Sequence, residues 1–572
     1  MDLNPEEKQV GAENFQATIG SPLVRREFLE EGIKQDVASG RGLGPYYFGY
    51  DKTLDEPIRV GVIGTGDEGN VLIGAINPDF LRVMAIADIR PYNVHRAFHG
   101  DRYSDEALEV RCGLMRKYDW KTEDEARRNV NVYGDYRELL EKEENIDAVI
   151  IALPLHLHAP AAIAAMKAGK HVLTEKLMAH SVHECKEMAR VAQETGLHLA
   201  TGHQRHYSIL YDNAVKMIGS GLLGNLHYIR AQWHRGNLPG LDSWQQPMPK
   251  KAKPGDLLAE ELDRELASWK GKLAELKKRK AEADEIEKWE AKVAQKIAQI
   301  SDEDIADKVE QFGYEHELIE GVYDRPAIEE LIRWRLWNRT GGGLMAELGS
   351  HQLDAASIFI AAVHEGKKQL PLCVAAAANR PLFPVDREVE DHVYCLFEFP
   401  APDYDPLDEH RRRKKISVAY ASINGNGFGG YGETVFGTDG TLILEREQEA
   451  LLYKTSATTS KIKVAQGPKL ELADEGEPLS AAIGTQALAA VERGYTEQLE
   501  HWAWCIRVNP NNSDPELHPR CHPKVALADA VIALVSNVAG REGRRVEFDP
   551  RWFDPASDET PEGVKPGATQ YA

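Results

Sequence analysis

At 572 residues the chain exceeds one ordinary domain core, so at least two compact units are expected. Its 69 Lys and Arg against 91 Asp and Glu leave a formal charge of -22, which argues against a nucleic-acid surface or an anionic membrane and for a neutral or polar small molecule as partner. The six cysteines (Cys112, Cys185, Cys373, Cys395, Cys505 and Cys521) lack paired spacing, so neither a disulfide framework nor a four-cysteine zinc site is indicated, and a reducing compartment is expected.

Residues 1–57 read as an N-terminal arm. VRREFLEEG carries Arg25 and Arg26 ahead of Phe28 and Leu29, as a twin-arginine export signal would. The residues that follow, EEGIKQDVASGRG, lack the apolar segment a signal peptide needs, and no later run reaches membrane-spanning length. A cytoplasmic protein is therefore predicted.

From Ile58 short apolar runs alternate with amphipathic stretches, the pattern of βαβ units on a parallel sheet. IRVGVIG, LRVMAIAD, IDAVIIALP, KHVLTEK and LHLATG are the predicted strands. APAAIAAMKAGK, with Ala161, Ala164, Ala165 and Ala168 at helical spacing, is a predicted helix between two of them. In IRVGVIGTGDEGN the residues Gly64, Thr65, Gly66, Glu68 and Gly69 form a G-x-G-x-x-G loop after a strand and before a helix. Gly64 permits the tight turn, Gly66 lets backbone approach a pyrophosphate, and Gly69 lets the helix pack close. The second strand ends on Asp88, about twenty residues past the loop, where a carboxylate would accept the adenosine ribose hydroxyls. This favours NAD over NADP, although the guanidinium of Arg90 could meet a 2′-phosphate. Residues 58–180 are thus a predicted Rossmann dinucleotide-binding domain.

Residues 181–550 read as an α+β domain. Its strands, VEDHVYCLFEFP, KKISVAYASING, ETVFGTDG and TLILEREQ, follow one another without long helices between them and predict a mostly antiparallel sheet. A charged insertion, about 250–310, interrupts the domain. Its Leu262, Leu266, Trp269, Leu273 and Leu276, continued by Ala283, Ile286, Trp289, Val293, Ile297 and Ile300, give a long amphipathic helix with one apolar seam. That seam must cover its own domain or a second subunit. The tail, 551–572, is rich in Asp, Glu, Pro and Gly and predicted to be loose.

Several ordered motifs carry a resemblance. They are GVIGTGDEG, YRELLEKEENIDAVIIALPLHLHAPAAIAAMKAGKHVLTEK, GNLHYIRAQWHR, GGGLMAELGSHQLDAA, ETVFGTDGTLIL and GREGRRVEFDP. Together they make the chain similar to the Gfo/Idh/MocA oxidoreductases, leaving the arm, the insertion and the tail without a counterpart. The resemblance implies NAD as cofactor, a homo-oligomer (dimer or tetramer), and a sugar, polyol or glycoside as substrate. It also implies that Lys176 hydrogen-bonds the reacting hydroxyl, that Glu175 lies near the cofactor, and that His351 takes the hydroxyl proton while hydride leaves the carbon. Glu347 stands where the family commonly has aspartate, and Leu177 where it has proline.

The spacing of Glu347, His351 and Asp354, four and then three residues, predicts one helix face, and the resemblance makes Asp354 a substrate or histidine-orienting contact. The resemblance also places Leu153, Pro154 and His158 in the loop at the nicotinamide ribose as cofactor contacts, with His158 matching the family's histidine and Leu153 standing where it usually has threonine. Arg205, Trp233, Arg235 and Trp337, with Arg335 and Arg339, offer the aromatic faces and guanidinium forks that suit a polyhydroxylated ligand. HPRCHP contains His518, Cys521 and His522 but no fourth ligand at recognisable spacing, so no metal is predicted. Two rivals stand beside a dehydrogenase. One is an enzyme that keeps its NAD and uses transient oxidation to cleave or epimerise a glycoside; the other is a silent nucleotide-binding scaffold.

Overall fold

The computed structural model describes residues 3–19, 21, 47–50, 54–464, 468–473 and 493–567; the Arg25–Arg26 pair lies outside them. Six parallel strands form the first sheet: β1 (Ile58–Ile63), β2 (Leu81–Ala87), β3 (Asn131–Tyr133), β4 (Ala148–Ile151), β5 (His171–Thr174) and β6 (Leu199–Thr201). Their order is β3-β2-β1-β4-β5-β6. Helices cover both faces, which is why β4 and β5 are buried at every position and read as unbroken apolar runs. The order reverses between β1 and β4, and the carboxyl ends of these strands open a crevice there. The sheet runs past residue 180, since β6 pairs in parallel with β5. Only the three-residue, half-exposed β3 went unpredicted, being too short to show a period.

β7 (Leu226–His234) starts the second sheet. After a small hairpin of β8 (Glu317–Ile319) and β9 (Tyr323–Arg325) come β10 (Cys373–Asn379), β11 (His392–Pro400), β12 (Lys415–Ile423), β13 (Tyr431–Gly437), β14 (Thr441–Glu445) and β15 (Glu449–Tyr453). A second hairpin, β16 (Ile462–Val464) and β17 (Leu470–Leu472), precedes β18 (Arg545–Glu547). The order of the large sheet is β15-β14-β13-β7-β12-β11-β10-β18, antiparallel except where β7 meets β12. Inward residues alternate with outward ones at period two: Val393, Cys395, Phe397 and Phe399 of β11 are in the core, whereas Tyr394 and Leu396 are exposed. The helices Ser350–Ala362 and Pro523–Glu542 cover the inner face. The protein is thus an α/β Rossmann domain joined to a mixed, mostly antiparallel α+β domain.

The N-terminal arm is partly docked. Its helix Pro5–Ile19 lies on β15, where Asn14 Nδ2 donates to Leu452 O (3.1 Å) and Asn14 Oδ1 accepts from Ile462 N (3.0 Å). The insertion is two helices rather than one, Leu257–Arg279 and Ala283–Ile300, broken where Lys280 turns left-handed (φ 52). Its seam closes on itself through Trp269 against Trp289 (ring centroids 6.3 Å) and Lys296 Nζ on Glu265 (2.7 Å). The second helix also packs on Pro91–His99 of the Rossmann domain. A 3-10 segment, Ser301–Phe312, then drops across the end of β2. Later in the chain, the helix Tyr495–Val508 returns to the first domain and seats Leu499, Trp502, Ala503 and Ile506 in the core around β1.

Candidate active site

A cavity of about 640 Å³ opens at the carboxyl ends of the parallel strands and is walled on its far side by the second sheet. At its floor Gly64 has φ +86, and a Cβ there would lie 2.3 Å from Ala152 O; a Cβ on Gly69 would meet Gly64 O at 2.1 Å. Gly66, by contrast, heads the helix Asp67–Ala75 with open space where its Cβ would be, the nearest atom being Asn93 Nδ2 at 3.7 Å. Backbone that close to a helix N-terminus, without side-chain cover, fits a pyrophosphate. Asp88 lines the same cavity and accepts from Thr65 N (2.7 Å), Arg90 N (2.9 Å) and Asn93 Nδ2 (3.1 Å). Thr65 is fully buried and braces Asp88 rather than lining the cavity.

Glu68 and Glu175 face the cavity from two elements, and each has a buried Oε1 with no partner among the described residues. Burial first, and then the nearby Glu68 carboxylate, raise the Glu175 pKa well above the usual carboxylate value. Such orphaned oxygens fit the amide and hydroxyl donors of a nicotinamide riboside. Leu153 and Pro154 line the cavity. His158 lies behind them, its Nδ1 and Nε2 each 2.8 Å from a carbonyl, Leu177 O and Leu153 O respectively, so it ties two cavity loops together.

Lys176, at the end of β5, donates from Nζ to Glu347 O (2.8 Å) and lies 3.6 Å from Glu347 Oε2; the Lys176–Leu177 peptide is cis. Arg335 Nε holds Glu347 Oε1 at 2.7 Å. Burial would raise the Glu347 pKa, but Arg335 and then Lys176 overcome it and keep the carboxyl well below its ordinary range. His351 lines the cavity from the first turn of the helix Ser350–Ala362, with Trp233 against it (ring centroids 5.5 Å). Burial, then the Lys176 ammonium and Arg205, depress its pKa well below 6.5, so its imidazole is neutral at pH 7 and able to accept a proton. Arg235 lies near the rings of Trp233 and Trp244 (5.6 and 5.9 Å to their centroids) on the same wall.

The single helix face expected for Glu347, His351 and Asp354 is broken. Glu347 sits in a π-turn, Met345–Gly349, whose wider winding puts it out of register with the helix that follows. Glu347 and His351 reach the cavity; Asp354 does not. Its Oδ1 is 2.8 Å from His206 Nε2 and its Oδ2 is 3.7 Å from His203 Nδ1. Arg205 also lies behind the wall, donating to Glu433 Oε1 (2.8 Å), Glu447 Oε1 (2.7 Å) and His351 O (2.8 Å). Trp337 is wholly buried beside Tyr323, with Arg325 over its ring. Arg339 pairs with Glu330. None of these four reaches the cavity.

Residues missed from sequence include Trp244, Arg493, Tyr495 and the Phe312–Tyr314 stretch, all of which line the cavity. They come from the loop before the insertion, from its end and the residues just after it, and from the start of a late helix, and no local motif marks them. Behind the site His203, Cys521 and Asp529 bring ligand-type atoms within 4.8 Å of one another, and Lys368 Nζ sits 2.5 Å from Asp529 Oδ1, supplying a cation to that cluster.

Residues 58–203 match an oxidoreductase family model described as having an NAD-binding Rossmann fold. A 1-carboxy-3-chloro-3,4-dihydroxycyclohexa-1,5-diene dehydrogenase of Comamonas testosteroni is 36% identical over 100 residues, 18% of this chain and 25% of that protein. A glycosyl hydrolase family 109 protein of Solibacter usitatus is 26% identical over 207 residues, 35% of this chain and 44% of that one. The chain therefore spans less than half the length of either curated relative. The crystal structure of an inositol dehydrogenase homolog complexed with NADH and myo-inositol, from Azotobacter vinelandii, superposes with TM-score 0.51 at 15% identity, covering 86% of this chain and 98% of that one; the likeness is one of fold.

Proposed function

We propose, from the match of residues 58–203 to an oxidoreductase family model with an NAD-binding Rossmann fold, that the chain is a Gfo/Idh/MocA-type enzyme that oxidises a secondary alcohol of a sugar, polyol or glycoside with NAD. The observation that carries this reading is that Lys176 of the first domain and His351 of the second line one cavity together with the glycine loop. Bound there, NAD supplies the hydride acceptor. The loop at Gly64 and Gly66 and the carboxylate of Asp88 would hold it, with Glu175 at the nicotinamide end.

The chain's own chemistry is proton handling. His351, kept neutral, accepts the proton from the substrate hydroxyl oxygen. The Lys176 ammonium, tethered to Glu347 O, lowers the energy of the alkoxide that develops on that oxygen. Glu347 and Arg335 fix where the ammonium points, while Trp233 and Arg235 offer a flat face and donors to a ring bearing hydroxyl groups. The test is a panel of sugars, polyols and glycosides with NAD, followed by NADH absorbance. Lys176→Ala and His351→Ala should each lower kcat/KM by about 10²–10⁴-fold. Unchanged turnover in both variants would overturn the assignment of these two residues, and no turnover of any member of the panel would favour the scaffold.

A second reading, an enzyme that retains its NAD and cleaves or epimerises a glycoside, is supported by the relative named a glycosyl hydrolase family 109 protein. Product formed without NADH accumulating separates the two readings.

A further inference from the structure

The sequence leaves two opposed signals at the end of β2: Asp88, suited to a ribose hydroxyl, and Arg90, suited to a 2′-phosphate. In the structure Arg90 is already engaged. Its Nε donates to Asp302 Oδ2 at 2.8 Å, and its Nη2 lies 2.8 Å from the same oxygen. The other oxygen, Asp302 Oδ1, accepts from Tyr92 N at 3.0 Å. Tyr92 lies in the first turn of the helix Pro91–His99, a turn with no acidic residue of its own and so one that attracts an anion. Asp302 is wholly buried.

Asp302 comes from the helical insertion, which has no counterpart in the motifs of the resemblance. Gln295 anchors the insertion on the same side, accepting from Arg102 N (2.6 Å) and donating to Asp101 Oδ1 (2.9 Å), so the carboxylate is held in place. Beside it Arg90 N donates to Asp88, putting the hydroxyl partner and the guanidinium one step apart.

Building on the NAD reading, we infer that Asp302 is a built-in anion that takes the place of an adenosine 2′-phosphate and so sets the preference of the cleft for NAD over NADP. A phosphate brought to Arg90 would meet a guanidinium already neutralised and two carboxylates, Asp88 and Asp302, around it. Asp302 is a positioning residue that acts through Arg90.

The test is equilibrium titration of the full chain with NAD⁺ and with NADP⁺, read by tryptophan fluorescence and calorimetry. The unmodified protein should bind NAD⁺ at least ~10-fold more tightly than NADP⁺, a difference of about 1.4 kcal/mol. In Asp302→Asn, NADP⁺ affinity should rise by ~10-fold or more while NAD⁺ affinity moves by less than about 3-fold. Adding Arg90→Ala to Asp302→Asn should erase that gain, which a merely structural role for Asp302 would not produce. Asp302→Ser keeps an acceptor for Tyr92 N and replaces Asp302→Asn if the latter does not fold. Retained NAD⁺ binding with no gain for NADP⁺ overturns the inference and leaves the NAD reading standing. Binding of neither nucleotide by the unmodified protein removes the NAD reading itself.

Discussion

Burial, and after it the Lys176 ammonium and Arg205, set the working range of His351: each opposes a positive charge on the ring, so its folded-state pKa lies below the ordinary 6.5. The sign follows directly. The base is neutral and competent at pH 7, and protonation removes it only as pH falls below 6.5. The acid limb of kcat/KM should therefore fall below pH 6.5, and Lys176→Met should move it upward as overall activity drops; a limb at or above 6.5 in the unmodified protein contradicts the proposed role. Stability follows the same direction, because below pH 6.5 the unfolded chain binds a proton that the folded chain resists. At this scale the sequence was informative where a residue belongs to a contiguous motif, as Lys176, Glu175 and His351 do. It misled at Arg205 and Trp337, because residue type suggests that a guanidinium or an indole can bind a sugar but not which way a buried side chain faces, and at Asp354, because helical spacing does not foresee the π-turn at Met345–Gly349.

Arg205 shows what such a residue does for the elements around it. It joins the short helix Gln204–Tyr207 to β13 through Glu433, to the turn after β14 through Glu447, and to the helix bearing His351 through that residue's carbonyl. Removing it would leave two carboxylates buried with part of their neutralising charge gone. Arg205→Ala should cost about 3–5 kcal/mol in a denaturant titration. Arg205→Lys should recover little, since a single ammonium cannot fork between Glu433 and Glu447. A loss below about 1 kcal/mol would mean the network relaxes freely. Among the elements, five of the six strands of the parallel sheet, β11 to β14 of the second sheet and the apolar seam of the insertion were readable from the pattern of apolar residues, whereas β7, β10 and the short strands were not. The break at Lys280 was not, because a lysine in a left-handed turn carries no glycine or proline signal.

For the whole molecule, the closed seam changes where self-association is expected. Most of the apolar stripe of the insertion is buried or half-buried against its own second helix and Pro91–His99, leaving Ile297 exposed at 45%, whereas the outer face of the large sheet exposes two residues of one strand, Tyr394 at 43% and Leu396 at 49%. If the chain forms the expected homo-oligomer, that face is the surface to meet its copy. Tyr394→Glu with Leu396→Glu should then lower the mass seen by light scattering to that of one chain, and an unchanged oligomer would place the interface elsewhere. The order of the two domains was legible from the switch between spaced and consecutive strands, but the long-range return of the helix Tyr495–Val508 to the first domain was not, since nothing local records which distant core a helix will enter. That return bears on biosynthesis. The first lobe leaves the ribosome early yet waits for Trp502, made more than four hundred residues after β1, to fill its interior. Its nascent form must hold an unfinished apolar surface through most of translation, a natural target for chaperones.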